Sequence, residues 1–114
     1  MKLILKTRDA GAVTIIDLQG KIVLGDECNL LREQVKTLLA ANRKKIVLNL
    51  GNVGFIDSAG VGTLVASFTS AKAQEGELKM ANLTKKFKET LQITRLLTVF
   101  EVYDSEAEAV ASFQ

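Results

Sequence analysis

The chain has 114 residues, 47% of them hydrophobic and 25% charged, which is the balance of one ordinary globular domain and argues against disordered and fibrous classes. Its 15 basic and 13 acidic residues leave a formal charge of +2, too weak and too mixed to mark a nucleic-acid-binding surface. Histidine is absent and cysteine occurs once, as Cys28, which excludes an intrachain disulfide, a Ser-His-Asp triad, the usual thiolate metal sites and the commonest zinc ligand.

The first apolar run is broken by Lys6 and Arg8, too early for a signal sequence, and no stretch approaches membrane length. A cytoplasmic protein without membrane insertion is expected. Leu3 to Thr7 and Val13 to Leu18 are apolar or β-branched runs separated by Arg8-Asp9-Ala10-Gly11-Ala12, which predicts an antiparallel hairpin. From Asp26 the period becomes helical: Cys28, Leu31, Val35 and Leu38 share a face, and Asp26 and Glu27 suit a helix N-terminus. That helix is expected to run to about Ala41. Lys45 to Leu50 is nearly continuous in apolar character, as in a central strand covered on both faces.

A link over 51–56 is then expected before a second helix, in which Val61, Leu64, Val65 and Phe68 form the apolar face and Thr63, Ser67, Ser70 and Gln74 the other; Gly76 marks its end. A strand over Glu77 to Asn82 follows, then a short helix capped by Thr84, a strand over Val99 to Tyr103, and a last helix behind a Ser105–Glu108 capping box. With no proline, repeat or linker, residues 1–114 read as a single domain. The order ββαβαβαβα predicts an α/β fold: a mixed sheet whose hairpin is antiparallel and whose later strands are parallel, joined by right-handed helical crossovers, with about four helices.

Few residues carry chemistry. The glycines between Gly51 and Gly62 match neither a P-loop nor a complete dinucleotide fingerprint, so nucleotide binding is not expected. The segment Phe55-Ile56-Asp57-Ser58-Ala59-Gly60-Val61-Gly62 stands out, because an Asp-Ser pair and two glycines open the most clearly periodic helix. Asp and Ser there make good helix caps, and capping alone accounts for the residue types. Gly60 and Gly62 need a further reason, since each costs a helix about 1 kcal/mol relative to alanine. Either the helix start approaches the sheet closely or a backbone surface is kept bare for a partner. A serine at an exposed helix start also makes a phosphorylation switch: the phosphate adds about −1.5 to −2 charge, which the fold tolerates and a docked partner does not. Cys28 reads as a core residue on an apolar helix face, and the Arg43-Lys44-Lys45 and Lys85-Lys86-Lys88 runs as solvated charge.

Asp57-Ser58-Ala59-Gly60-Val61-Gly62-Thr63-Leu64, behind an apolar strand and a short link, resembles the STAS domain, and within it bacterial anti-sigma-factor antagonists. The likeness runs from the hairpin and Leu18-Gln19-Gly20 to the last helix. The resemblance implies a non-enzymatic, cofactor-free switch with Ser58 as its phosphorylation site. Its partners would be an anti-sigma factor with serine kinase activity and a serine phosphatase. The partner-binding residues carried over are Asp57, Ser58, Ala59, Gly60, Gly62 and Thr63, with Asp57 helping to engage the kinase. Asn49 stands where an acidic residue is frequent in the family, and Ala59 where a second serine is common.

Two other readings remain at this level. One keeps the STAS fold as a scaffold subunit of a stressosome-like or lipid-transport ABC complex, without a phospho-switch. The other treats Asp57 as the phosphoacceptor of a receiver-like domain, but neither Lys6-Thr7-Arg8 nor Leu18-Gln19-Gly20 supplies the acidic cluster that would hold its Mg²⁺.

Overall fold

The structure, a computed structural model, describes residues 3–95 and 99–113. The strands β1 (Leu3–Ala10), β2 (Val13–Ile22), β3 (Lys45–Ile56), β4 (Glu77–Ala81) and β5 (Glu101–Tyr103) form one sheet in the order β1-β2-β3-β4-β5. The β1–β2 pair is antiparallel and the remaining pairs are parallel. The helices are α1 (Asp26–Ala40), α2 (Ser58–Ala73), α3 (Lys85–Ile93) and α4 (Glu106–Ala111). The expected mixed sheet with its leading hairpin is therefore the architecture found.

Strand order never reverses, so right-handed crossovers carry the connecting helices to the same side of the sheet. On that side Ile16, Leu18, Ile46, Leu48 and Leu50 meet Leu31, Val35 and Cys28 of α1, Leu64 of α2, and Phe87 and Leu91 of α3. The opposite side has a smaller core, in which Val13, Ile15, Val47 and Ala81 meet Ala109 of α4. Ile46, Val47 and Leu48 are all buried, which explains the unbroken apolar run of β3: a central strand with cover on both faces has no solvent side.

Three expectations need correction. The hairpin gap is narrower than Arg8 to Ala12, because Arg8, Asp9 and Ala10 pair with Ile15, Thr14 and Val13, leaving Gly11 at φ 64° to turn the chain. Residues 51–56 are not a link but the second half of β3, with Val53 opposite Gly20 and Ile56 opposite Ile22 after two register shifts. Irregular pairing of this kind breaks the period-2 pattern on which strand recognition depends. Finally, the presumed polar face of α2 is partly interior: Thr63 and Ser67 are buried, and Arg32 of α1 reaches Thr63 Oγ1 at 3.5 Å. Small polar side chains let α1 and α2 pack closely, and Thr63 satisfies its hydroxyl on the Ala59 carbonyl at 3.0 Å.

Ser67 has no such outlet. Its buried Oγ has no hydrogen-bond partner among the described residues. A desolvated hydroxyl without a partner costs about 1 kcal/mol or more. Ser67→Ala is therefore expected to raise stability by roughly 1 kcal/mol, read as a higher urea midpoint at unchanged slope.

Asn49 ties strands together on the α4 side. Its Nδ2 donates to Asp17 Oδ1 at 2.8 Å, while its Oδ1 accepts from Asn82 Nδ2 at 3.0 Å and from the Gly51 N–H at 3.3 Å. Arg8 completes the group, donating from Nε to Asp17 Oδ2 at 2.6 Å and bonding Glu106 of α4. The Arg8 guanidinium, followed by the Asn49 amide, holds the Asp17 carboxyl below its usual range against the effect of burial. An amide rather than a carboxylate at position 49 suits this place, since it can donate to Asp17.

Candidate functional site

The site lies where β3 ends and α2 begins. Asp57 leaves the strand in extended conformation, at φ −100° and ψ −177°, and is the N-cap of α2. Its Oδ1 accepts the Gly60 N–H at 2.8 Å, and its Oδ2 accepts the Leu24 N–H at 3.0 Å from the loop between β2 and α1. The Asp57 N–H donates to the Ile22 carbonyl at 3.3 Å. One carboxylate thus joins the helix start to the neighbouring loop. The Leu24 N–H first, and the Gly60 N–H second, hold the Asp57 carboxyl below the ordinary carboxylate value.

A lowered carboxyl pKa stabilises the fold above the unfolded value of about 4 and is lost as pH falls through the folded value. Asp57→Ala, which removes the cap, is expected to cost about 1 kcal/mol at neutral pH. Thermal melts at successively lower pH should show this difference beginning to shrink below about pH 4, where the unfolded carboxylate takes up its proton, and vanishing as pH falls through the lower folded value.

Ser58 is the first residue of α2 and is exposed. Its hydroxyl has no hydrogen-bond partner among the described residues. The other hydroxyls nearby are engaged: Thr63 Oγ1 donates to Ala59 O at 3.0 Å, Thr90 Oγ1 to Lys86 O at 3.1 Å, and Thr94 Oγ1 to Thr90 O at 3.1 Å. Ser58 therefore presents the nucleophilic oxygen that is both free and reachable.

The two glycines separate the two explanations left open by the sequence. A Cβ on Gly60 would collide with the Ile22 carbonyl oxygen and lie 2.6 Å from Ile56 Cγ1, so this glycine permits close approach of helix to sheet. A Cβ on Gly62 would meet nothing within 4 Å. Gly62 is exposed, whereas Gly60 and Thr63 are buried and Ala59 is half-buried against the core. Of the residues carried over by resemblance, Ser58 and Gly62 are the exposed ones, Asp57 is half-buried, and Gly60 and Thr63 face inward.

Beside Ser58 runs an open, largely apolar groove. Ile56, Val61, Gly62 and Val65 form one wall, and Thr90 of α3 and its C-cap Thr94 belong to the other. Two strongly exposed apolar residues were not candidates from the sequence: Leu24, whose N–H Asp57 pins, and Ile93, the last residue of α3, at 77% and 83%. Ile93 was visible in principle, because it falls off the Phe87–Leu91 stripe of α3. Leu24 carries no local signal, being one apolar residue in a loop. Among the described residues no group of three His, Cys, Asp or Glu side chains converges to hold a metal ion. No helix among them is long and apolar enough to cross a membrane.

The STAS domain family matches residues 5–109. The chain is 30% identical over 86 residues to BtrV of Bordetella bronchiseptica, covering 72% of this chain and 74% of that protein. It is 32% identical over 72 residues to the anti-sigma-B factor antagonist of Bacillus subtilis, covering 63% and 65% of the two chains. Among solved structures, an anti-sigma factor antagonist from Mycobacterium paratuberculosis superposes with a TM-score of 0.83 at 17% identity, over 97% of this chain and 93% of that one. The antagonist SpoIIAA in its unphosphorylated form superposes at 0.72 and 17% identity, over 95% and 94%. Agreement over nearly the whole length, together with the sheet order and the Asp57–Ser58 helix start, identifies the chain as a member of the STAS domain family.

Proposed function

We propose that this protein is an anti-sigma factor antagonist with a phosphorylation switch at Ser58. Unmodified, it binds an anti-sigma factor that is also a serine kinase, and so frees the sigma factor. Phosphorylation of Ser58 by that kinase releases it, and a separate serine phosphatase restores binding. The protein contributes a surface rather than a catalytic group. The observation that carries this reading is the Ser58 hydroxyl: exposed, unbonded, and set at a helix start, where a phosphate leaves the core untouched. Relatives that bear the name of anti-sigma factor antagonist support it.

Within this reading the six carried-over residues divide by role. Ser58 and Gly62 offer surface to the partner, and Ala59 offers its edge. Gly60 and Thr63 seat the helix, and Asp57 sets its start. The test is to incubate the full chain with ATP and, in turn, each purified serine-kinase anti-sigma factor of the host, then sequence the phosphopeptides by mass spectrometry. One phosphate on Ser58, stable to alkaline hydroxylamine, is expected. No phosphate on Ser58 with any of them, or a hydroxylamine-labile label on Asp57, overturns the proposal.

A further inference from the structure

We infer that α4 is a releasable strap over the face of the sheet opposite α1, α2 and α3, fastened by the buried ammonium of Lys79, and that it opens as a unit while the rest of the fold stays closed. The inference does not depend on the role of Ser58.

Lys79 is 3% exposed, in the middle of β4, whereas lysine is almost never so buried unless it is paired. In the row Val47–Lys79–Glu101, which crosses β3, β4 and β5, it stands where an apolar residue would complete the surface under α4. Its Nζ donates to Ser112 Oγ at 2.7 Å and to the Ser112 carbonyl at 3.3 Å. Ser112 is the C-cap of α4, an end that favours a cation and whose last turn has no basic residue of its own. The Phe113 ring centroid lies 4.4 Å from the same nitrogen and that of Tyr103 5.6 Å. Glu101 at 3.3 Å and Glu77 at 3.5 Å complete the surroundings.

These partners fall into two sets. Glu77, Glu101 and Tyr103 belong to the sheet and stay with Lys79 when α4 leaves, whereas Ser112 and Phe113 leave with it. Lifting α4 therefore returns the ammonium to water with both carboxylates still beside it. The open state holds no unpaired buried charge, and it recovers the hydration lost on closing. An apolar side chain at position 79 would lack that recovery and would add apolar surface to the open state.

The rest of the strap is lightly held. α4 has six residues, against roughly 12 for even a marginal isolated helix, so docking alone maintains it. It buries Ala109, with Val110 and Phe113 half-buried beside the small core of Val13, Ile15, Val47 and Ala81, while the other three helices share the larger one. At its first turn Arg8 Nη1 donates to Glu106 Oε2 at 3.0 Å, but the pair is partly exposed and such pairs hold weakly. Segments with so little apolar burial open at lower free energy than the core.

The experiment is native-state hydrogen exchange on the full chain, followed by NMR at several low urea concentrations. The Ala109 and Ser112 N–H groups, bonded to the Ser105 and Glu108 carbonyls, report on α4; Val35 of α1 and Leu64 of α2 report on the larger core. The α4 pair is expected to be protected at least about 100-fold less than the core pair and to respond little to urea, because its opening exposes little surface. Phe113→Ala is expected to speed exchange of the α4 pair by about tenfold, and Lys79→Met to slow it by about tenfold. Trace acetylation of Lys79, read by mass spectrometry against exposed Lys36, should be slowed by the same factor that protects the Ser112 amide, since one opening bares both. If the α4 pair exchanges only with the core pair and with the same urea dependence, or if Lys79 is acetylated only as fast as the core opens, α4 is an integral part of the fold and the inference fails. It fails equally if Lys79→Met speeds α4 exchange, which would make the ammonium a lock, or if Phe113→Ala leaves that exchange unchanged.

Discussion

Gly60→Ala is expected to lower stability by about 3 kcal/mol or more, a fall in Tm of roughly 10 °C or more. The added methyl would collide with the Ile22 carbonyl oxygen and approach Ile56 Cγ1 to 2.6 Å. Ile56 could change rotamer, but the carbonyl belongs to Ile22 at the end of β2, whose backbone is held by pairing with Ile56 of β3. Relief therefore requires the start of α2 to lift from the sheet. Lifting it also weakens the 3.3 Å bond from the Asp57 N–H to that same carbonyl. Gly62→Ala is the control and should move the other way. With nothing within 4 Å of its Cβ and an ordinary helical environment, it should gain about 1 kcal/mol of helix propensity. If Gly62 is bare because the partner lies against it, the more stable variant binds that partner less well. Two neighbouring glycines would then affect stability in opposite directions, and equal thermal shifts from the two substitutions would contradict this account.

Ser58→Asp should abolish most partner binding, by about 100-fold, with Ser58→Ala remaining within about threefold of the parent whether or not ATP is present. The argument is one of desolvation. The serine hydroxyl has no internal partner among the described residues, so its removal leaves nothing unpaired. A carboxylate in its place must lose water beneath the docked protein. Neither change should disturb the fold, because Ser58 is exposed and the helix is capped by Asp57, not by Ser58. Unchanged thermal melts for both variants, alongside divergent affinities, separate a docking effect from an unfolding one. If Ser58→Asp bound the kinase as the parent does, position 58 would lie outside the interface.

Much of the fold was legible because the signals that specify it act over short distances. The cap at Thr84, with its 3.1 Å bond from the Phe87 N–H, and the cap at Ser105, with its 3.1 Å bond from the Glu108 N–H, were readable from residues three apart. The buried run of β3 followed from its composition. The candidate serine was readable too, since Asp-Ser before a periodic helix is a local pattern. Where the reading failed, the missing information was long-range. The strand character of 51–56 depends on pairing with β2 across shifted registers, and the burial of Thr63 and Ser67 depends on α1 lying against α2.

By itself the amino-acid order determined the element sequence, the handedness and mixed pairing of the sheet, and the serine placed at a helix start, because capping, periodicity and turn chemistry are settled among near neighbours. Only the tertiary structure decided that Gly60 serves packing while Gly62 leaves open surface, and that the carboxylate of Asp57 is spent on Leu24 and Gly60. Those outcomes depend on which distant segments the sheet brings together, and a one-residue change of register would redistribute them while leaving every local signal as it is.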